Sequence, residues 1–232
     1  KWLAAWQPEV LIVEANPRYL STPSAIHWMH ARNRPVLGWG LGAPPLSGSL
    51  AGLRTWERKR FLRMLDGVIA YSRRGAEEYL GMGMPAERVF WAPNAVAVKP
   101  TEPPPFRPTT LNGPPVVLFV GRLQARKRID LLLGACAALP TELQPRLVIV
   151  GDGPDRAEME AQAKAVYPSA EFPGAKYSPE LAEYFKHADL FVLPGTGGLA
   201  VQEALGFGLP VMVAQGDGTQ DDLVRPDNGW LI

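Results

Sequence analysis

Short, continuously apolar runs alternate with longer helical patterns along the whole chain, and no other feature limits the fold as much. In the first half the runs fall at residues 9–13, 35–39, 67–71 and 88–92, with helical patterns at 22–33, 50–65 and 73–80 between them. The runs are apolar throughout rather than polar at every second position, which is the pattern of strands covered on both faces. Strand and helix in regular succession predict a parallel sheet with helices on either side.

The texture changes at VKPTEPPPFRPTTLNGPP, which has neither periodicity. Proline fixes φ and removes a donor, so such a run makes a semi-rigid connection. The expected division is an N-terminal domain over 1–97, a linker over 98–114 and a C-terminal domain over 115–232. The second domain repeats the same grammar. PVVLFV, RLVIV, DLFVL and LPVMV read as buried strands, with helices at about 126–139, 154–166, 179–187 and 199–207. Pro154 and Pro179 suit first helical turns, and Gly208 followed by Pro210 ends the last helix. The fold class expected is α/β, with two doubly wound, Rossmann-like domains facing a cleft. Ligands of such sheets bind where the strands end and helices begin.

Composition narrows the function classes. Apolar residues make up 47% and charged residues 20%, and Lys+Arg 24 against Asp+Glu 23 leaves no extended basic surface for nucleic acid. The single cysteine, Cys136, excludes an internal disulfide and a cysteine-rich zinc site, and its apolar surroundings read as those of a buried thiol. No apolar run reaches the roughly 20 residues of a membrane span, and no secretory signal is visible. A cytoplasmic setting is expected. The chain starts without methionine and stops within the strand-like GWLI, so it reads as an interior piece of a longer protein.

Two constellations carry candidate chemistry. In VLFVGRLQARKRIDLLL a glycine, Gly121, follows a strand, and Arg122, Arg126, Lys127 and Arg128 crowd a helix entrance. Cations there oppose the helix dipole. The cluster is either a solvated basic turn or the seat of an anion such as a diphosphate, gripped by a forked guanidinium and a compact ammonium. In FVLPGTGGLAVQEALGFGLPVMV a glycine-rich loop links strand to helix, and Glu203 lies four residues from both Leu199 and Phe207, on their apolar face. Its carboxylate needs a partner there: a salt bridge, a backbone amide, or the two hydroxyls of a sugar diol.

Together GRLQARK, LVIVGDGP, ADLFVLP, GGLAVQEALGFGLPV and DNGWLI resemble the C-terminal half of the family-four retaining glycosyltransferases of GT-B fold, over nearly all of 115–232. GVIAYS and VFWAPNAV are similar to the end of that family's acceptor domain. The resemblance implies that Arg122 and Lys127 neutralise the donor diphosphate and serve as the catalytic pair. Glu203 would hold the nucleotide ribose, and Gly197, Gly198 and Leu199 would offer amides to the donor, with Gly121 beside them. Gly174 and Ala175, in a turn over 173–176, would meet the base. The co-substrate implied is a UDP- or GDP-sugar, with no other cofactor and no metal. The acceptor implied is a sugar or lipid-linked saccharide in polysaccharide or glycolipid assembly.

This sequence departs from the family at two places. The first glutamate of the Glu–seven residues–Glu motif is Gly195 here, and Leu41 stands about where a loop histidine is expected. Two alternatives therefore stay open: a non-catalytic GT-B homologue and a sugar-nucleotide 2-epimerase. His27, His30 and His187 read as structural rather than catalytic. GDGP and GDG each carry one carboxylate, too few for a metal. In ANPRYLS, Asn16 and Arg18 are candidate acceptor contacts. The helix TWERKRFLRMLD places Arg58, Lys59, Arg60 and Arg63 beside Trp56, Phe61 and Leu62. It reads either as a solvated face or as a peripheral contact with the inner face of a membrane.

Overall fold

The computed structural model describes residues 1–93, 95, 103–107, 113–216 and 218–232. The chain forms two compact units, Lys1–Asn94 and Ala95–Ile232. The first runs α1 (Trp2–Trp6), β1 (Leu11–Glu14), α2 (Ser21–His30), β2 (Val36–Gly40), α3 (Ala51–Leu62), β3 (Gly67–Ala70), α4 (Arg73–Gly81) and β4 (Val89–Trp91). Its four strands lie side by side in the order β1-β2-β3-β4, all parallel. One face packs on Ile26, Met29, Phe61, Leu62, Leu65 and Tyr79, all buried. The other face differs from the expectation of full burial: Ile12, Trp39 and Phe90 are 38 to 51% exposed. β1 accordingly shows alternating burial, because each second side chain points to that open face.

The second unit runs β5 (Val116–Val120), α5 (Ile129–Ala138), β6 (Arg146–Val150), α6 (Arg156–Val166), β7 (Glu171–Gly174), α7 (Glu180–His187), β8 (Leu190–Leu193), α8 (Leu199–Gly206), β9 (Val211–Val213) and β10 (Gly229–Leu231). The sheet order is β10-β9-β8-β5-β6-β7, entirely parallel. Counted from β5, that is the doubly wound order, and it reverses direction between β5 and β8. β5, β6 and β8 form the apolar centre, with Phe119, Leu147, Ile149 and Phe191 fully buried.

Several boundaries move for local reasons. The helix read from residue 126 is broken: Ala125–Lys127 form a 3₁₀ turn, Arg128 takes the left-handed conformation (φ 53°), and α5 starts only at Ile129. Arg128 is tied there to Asp130 at 3.1 Å. Pro154 lies outside α6, and Pro179 occupies the residue before α7. Residues 173 and 174, expected within a turn over 173–176, instead close an edge strand over 171–174; proline is tolerated there because an edge leaves amide positions unpaired. α8 ends as the sequence indicates, with Gly208 at φ 64°.

The proline-rich linker lies largely outside the described residues, and its described part packs on the second unit. The Arg107 guanidinium donates to Phe185 O (2.9 Å), to Phe207 O (3.3 Å), to Gly208 O (3.1 Å) and to Ala188 O. One cation thus satisfies the terminal carbonyls of both α7 and α8, where helix dipoles favour positive charge. Cys136 is buried, and burial pushes its thiol up to about 11. Among the described residues no helix is long and apolar enough to cross a membrane.

Candidate functional site

The reversal of strand order fixes where the second unit can take a ligand. Crossovers leave β5 and β8 in opposite directions, and the loops after these two strands meet at the carboxyl edge, where ligands of such sheets bind. Those loops are 121–128 and 194–198, the two constellations singled out in the sequence. The β5–β8 ladder is short, pairing Val117 with Leu190 and Leu118 with Phe191.

Lys127 sits at this junction. It is only 8% exposed, and its ammonium donates to the Thr196 carbonyl at 2.6 Å. Arg126 supports the same loop from outside: its carbonyl accepts from Thr196 N (3.3 Å), and its Nη1 donates to Thr196 Oγ1 (3.3 Å). Gly195 lies so close that a methyl group there would stand 2.6 Å from Lys127 C and 2.7 Å from Lys127 Cα. The position where the family pattern has its first glutamate is therefore closed by backbone.

The three amides assigned to the donor divide into two groups. Gly197 N–H is already bonded to the Gln220 side chain at 3.0 Å. Gly198 and Leu199, at the start of α8, have no side-chain cap, and their N–H groups meet no acceptor among the described residues. A helix start with open amides and a buried ammonium nearby is suited to an anion. Gln220 carries no signal in the sequence, where it reads as one polar residue in a polar loop.

Arg122 is exposed and makes no ion pair among the described residues. It lines a hollow of about 330 Å³ with Gly121, Asp152, Ala175, Lys176 and Tyr177, at the ends of β5, β6 and β7. Ala175 is exposed in this hollow. Gly174 is buried as the last residue of β7, with its carbonyl taken by Gly151 N at 3.0 Å. The GDGP turn forms one wall and packs on the loop after β5 through backbone contacts. Gly151 lies at φ 151° against the Gly121 carbonyl, and Leu123 N bonds Asp152 O at 2.9 Å. Asp152 is turned to Gly153 N (2.7 Å) and Arg156 (3.4 Å). No group of three or more metal-binding side chains occurs among the described residues, and Asp217 of the GDG turn lies outside them.

Glu203 stands one turn into α8. The helix buries Val201 and Ala204, whereas Leu199 is 43% exposed, so Glu203 lies on the flank rather than on the inward face. It is half-buried, and its carboxylate has no hydrogen-bond or ionic partner among the described residues. Burial alone holds its carboxyl above the usual glutamate range. It can still accept from vicinal hydroxyls.

In the first unit the candidate acceptor contacts are engaged locally. Asn16 Oδ1 accepts from Arg18 N (3.2 Å), and Arg18 pairs with Glu14 (3.1 Å) and Tyr19 (2.7 Å). Leu41, directly after β2, is 49% exposed. The histidines are structural in their contacts. His27 bonds Pro23 O (2.7 Å) and His187 bonds Glu183 O (2.8 Å). His30 meets Asp66 (2.9 Å), which also accepts from Val36 N (2.7 Å) at the amino end of β2, away from the carboxyl edge. On α3, Phe61 and Leu62 enter the core, while Leu53, Trp56 and Arg60, with Arg63 at the C-cap, face outward.

The family model described as glycosyl transferases group 1 matches residues 104–232, more than half of the chain. A GDP-mannose-dependent alpha-mannosyltransferase of Mycobacterium tuberculosis (strain CDC 1551 / Oshkosh) is 37% identical over 183 residues, covering 73% of this chain and 44% of that protein. The amylovoran biosynthesis glycosyltransferase AmsK of Erwinia amylovora is 26% identical over 183 residues, covering 71% of this chain and 43% of that one. This chain thus spans less than half the length of either relative. Among solved structures, the apo form of the lipopolysaccharide outer core galactosyltransferase WaaB has a TM-score of 0.76 at 22% identity, over 100% of this chain and 63% of that one. That likeness speaks for the GT-B fold.

Proposed function

The chain belongs to the group 1 glycosyl transferases, and from that premise we propose that its second unit is the donor half of a hexosyltransferase. The full-length protein moves a hexose from a nucleoside diphosphate sugar to an acceptor hydroxyl, with retained anomeric configuration. The mannosyltransferase relative favours a GDP-hexose, with GDP-mannose as the first donor to test. The observation that carries the reading is a buried ammonium beside the open amides of Gly198 and Leu199, at the point where strand order reverses.

In this scheme the diphosphate lies at the start of α8, between Lys127 and Arg122. The bond from the anomeric carbon to phosphate breaks, and a bond to the acceptor oxygen forms on the same face. The departing phosphate oxygen takes the acceptor proton, so no protein nucleophile is required. Lys127 is held in place before the reaction, and its charge counts most as negative charge gathers on the leaving group. Glu203 receives the ribose diol, and the hollow beside Arg122 and Ala175 receives the base. With these cations in place the scheme uses no metal.

The acceptor is a sugar or lipid-linked saccharide, in line with the relative named for amylovoran biosynthesis. A lipid-linked acceptor brings the enzyme to the cytoplasmic face of a membrane, and the outward Leu53, Trp56 and Arg60 of α3, with Arg63 at its C-cap, suit an anionic surface. The rival reading, a homologue that binds donor without turnover, rests on Gly195, where the backbone leaves no room for a carboxylate.

The test is calorimetric titration of full-length protein with GDP-mannose and UDP-glucose, followed by turnover with product analysis. Arg122→Ala and Lys127→Ala are each expected to weaken the preferred donor by about 10- to 100-fold, the range of a charge-assisted hydrogen bond. Undiminished affinity in the double variant removes the diphosphate assignment. Tight binding without product favours the rival, and an inverted product removes retention.

A further inference from the structure

Among the described residues of the second unit Gln220 is the most completely enclosed polar side chain, with 0% exposure. Its carboxamide spans two segments that are distant in sequence. Oε1 accepts from Gly197 N–H at 3.0 Å, while Nε2 donates to Gly195 O at 3.1 Å and to Ala214 O at 2.6 Å. Both amide hydrogens and the carbonyl are therefore used. Gly195 and Gly197 flank Thr196, the residue whose carbonyl receives the Lys127 ammonium and whose side chain and amide meet Arg126. One buried carboxamide thus fixes both neighbours of the residue that seats the cation. It also anchors them to Ala214, directly after the inner strand β9.

We infer that Gln220 is a positioning residue for the phosphate-binding loop, setting where Lys127 and the Gly198 and Leu199 amides stand without touching the donor. This inference rests on the reading of that loop as the diphosphate seat. The chemistry requires an amide. Two of the three facing groups are carbonyl oxygens and one is an N–H, so a carboxylate would set negative charge against two acceptors. A thioether of similar length would fill the space and leave three polar groups unbonded. The site is buried, so water does not replace the lost partners.

The experiment compares full-length wild type with Gln220→Met and Gln220→Glu, titrated with GDP and with guanosine, alongside hydrogen exchange of residues 194–199. Gln220→Met is expected to lose affinity for GDP by about tenfold, as one displaced charge-assisted contact would. Its affinity for guanosine is expected to stay unchanged, and the 194–199 amides to exchange faster. Gln220→Glu is expected to bind GDP poorly at pH 8 and to recover as pH falls, because a protonated carboxyl again offers one donor and one acceptor; wild type sets the baseline at each pH. A purely structural role would weaken both ligands together. Wild type that binds GDP while both variants bind it equally well overturns the assignment of Gln220 alone. Wild type that takes up no GDP overturns the reading of the site, and this inference with it.

Discussion

Gly195→Ala is the smallest change that tests how the loop after β8 is built. The added methyl would stand 2.6 Å from Lys127 C and 2.7 Å from Lys127 Cα, where ordinary contact begins at 3.4 Å. All the obstructing atoms are backbone, so no side chain can swing away. The two loops must part by about 1 Å, and forced overpacking of this kind costs about 1–3 kcal/mol. The same shift strains the Thr196–Arg126 bond at 3.3 Å and the Gly195–Gln220 bond at 3.1 Å. Displacing the phosphate seat by that distance should lower turnover by about 100-fold. Gly195→Glu should do no better, because its carboxylate cannot be placed without the same movement. Urea denaturation gives the first quantity, and donor titration with steady-state kinetics gives the second. Refutation would be an alanine variant within about 0.5 kcal/mol of wild type, the range of an inert surface change, with donor affinity intact. A glutamate variant more active than wild type would likewise overturn the argument that this position is closed.

Three further outcomes follow from the same structure. Glu203→Gln should stabilise the protein modestly at neutral pH, because burial disfavours the ionised carboxyl, and should weaken donor binding; a variant less stable at pH 7, or one that binds donor normally, contradicts this. Asp66 resists the upward push of burial through its bonds to Val36 N and His30, which leave its carboxyl below the usual aspartate range. The stability it supplies is present above the ordinary carboxylate pKa and lost as pH falls through the lowered one, so Asp66→Asn should differ from wild type at pH 7 and converge with it in acid. A gap that widens in acid denaturation would contradict that sign. Tyr79 is fully buried, burial pushes its phenol up to about 12 against a weaker opposing pull from the Gly42 amide, and its hydroxyl has no well-formed hydrogen bond among the described residues, so Tyr79→Phe should leave the melting temperature unchanged or raise it, and a clear drop would contradict this.

The strands of the second unit were legible because their burial is two-sided. Val116–Val120, Arg146–Val150 and Leu190–Leu193 fall within or upon the apolar runs. β7 was missed because an edge strand tolerates Glu171, Pro173 and Gly174, which in isolation spell a turn. The open face of the first sheet was missed because Ile12, Trp39 and Phe90 are as apolar as buried residues, and a sequence does not say what covers them. At the candidate site, the glycine-rich loop and the Arg122–Lys127 pair stand out by composition and spacing. That Lys127 is buried and Arg122 exposed depends on the left-handed turn at Arg128 and on the β5–β8 junction, neither of which is a local property. The engagement of Gly197 N–H by Gln220 spans 23 residues and crosses two loops, so no periodic pattern announces it.

The most direct measurement is a crystal structure of the full-length protein soaked with GDP. The account predicts phosphate oxygens within hydrogen-bond reach of Lys127 Nζ and of the Gly198 and Leu199 amides, with the ribose hydroxyls on Glu203. A diphosphate bound elsewhere on the second unit, with those amides still facing solvent, would contradict it.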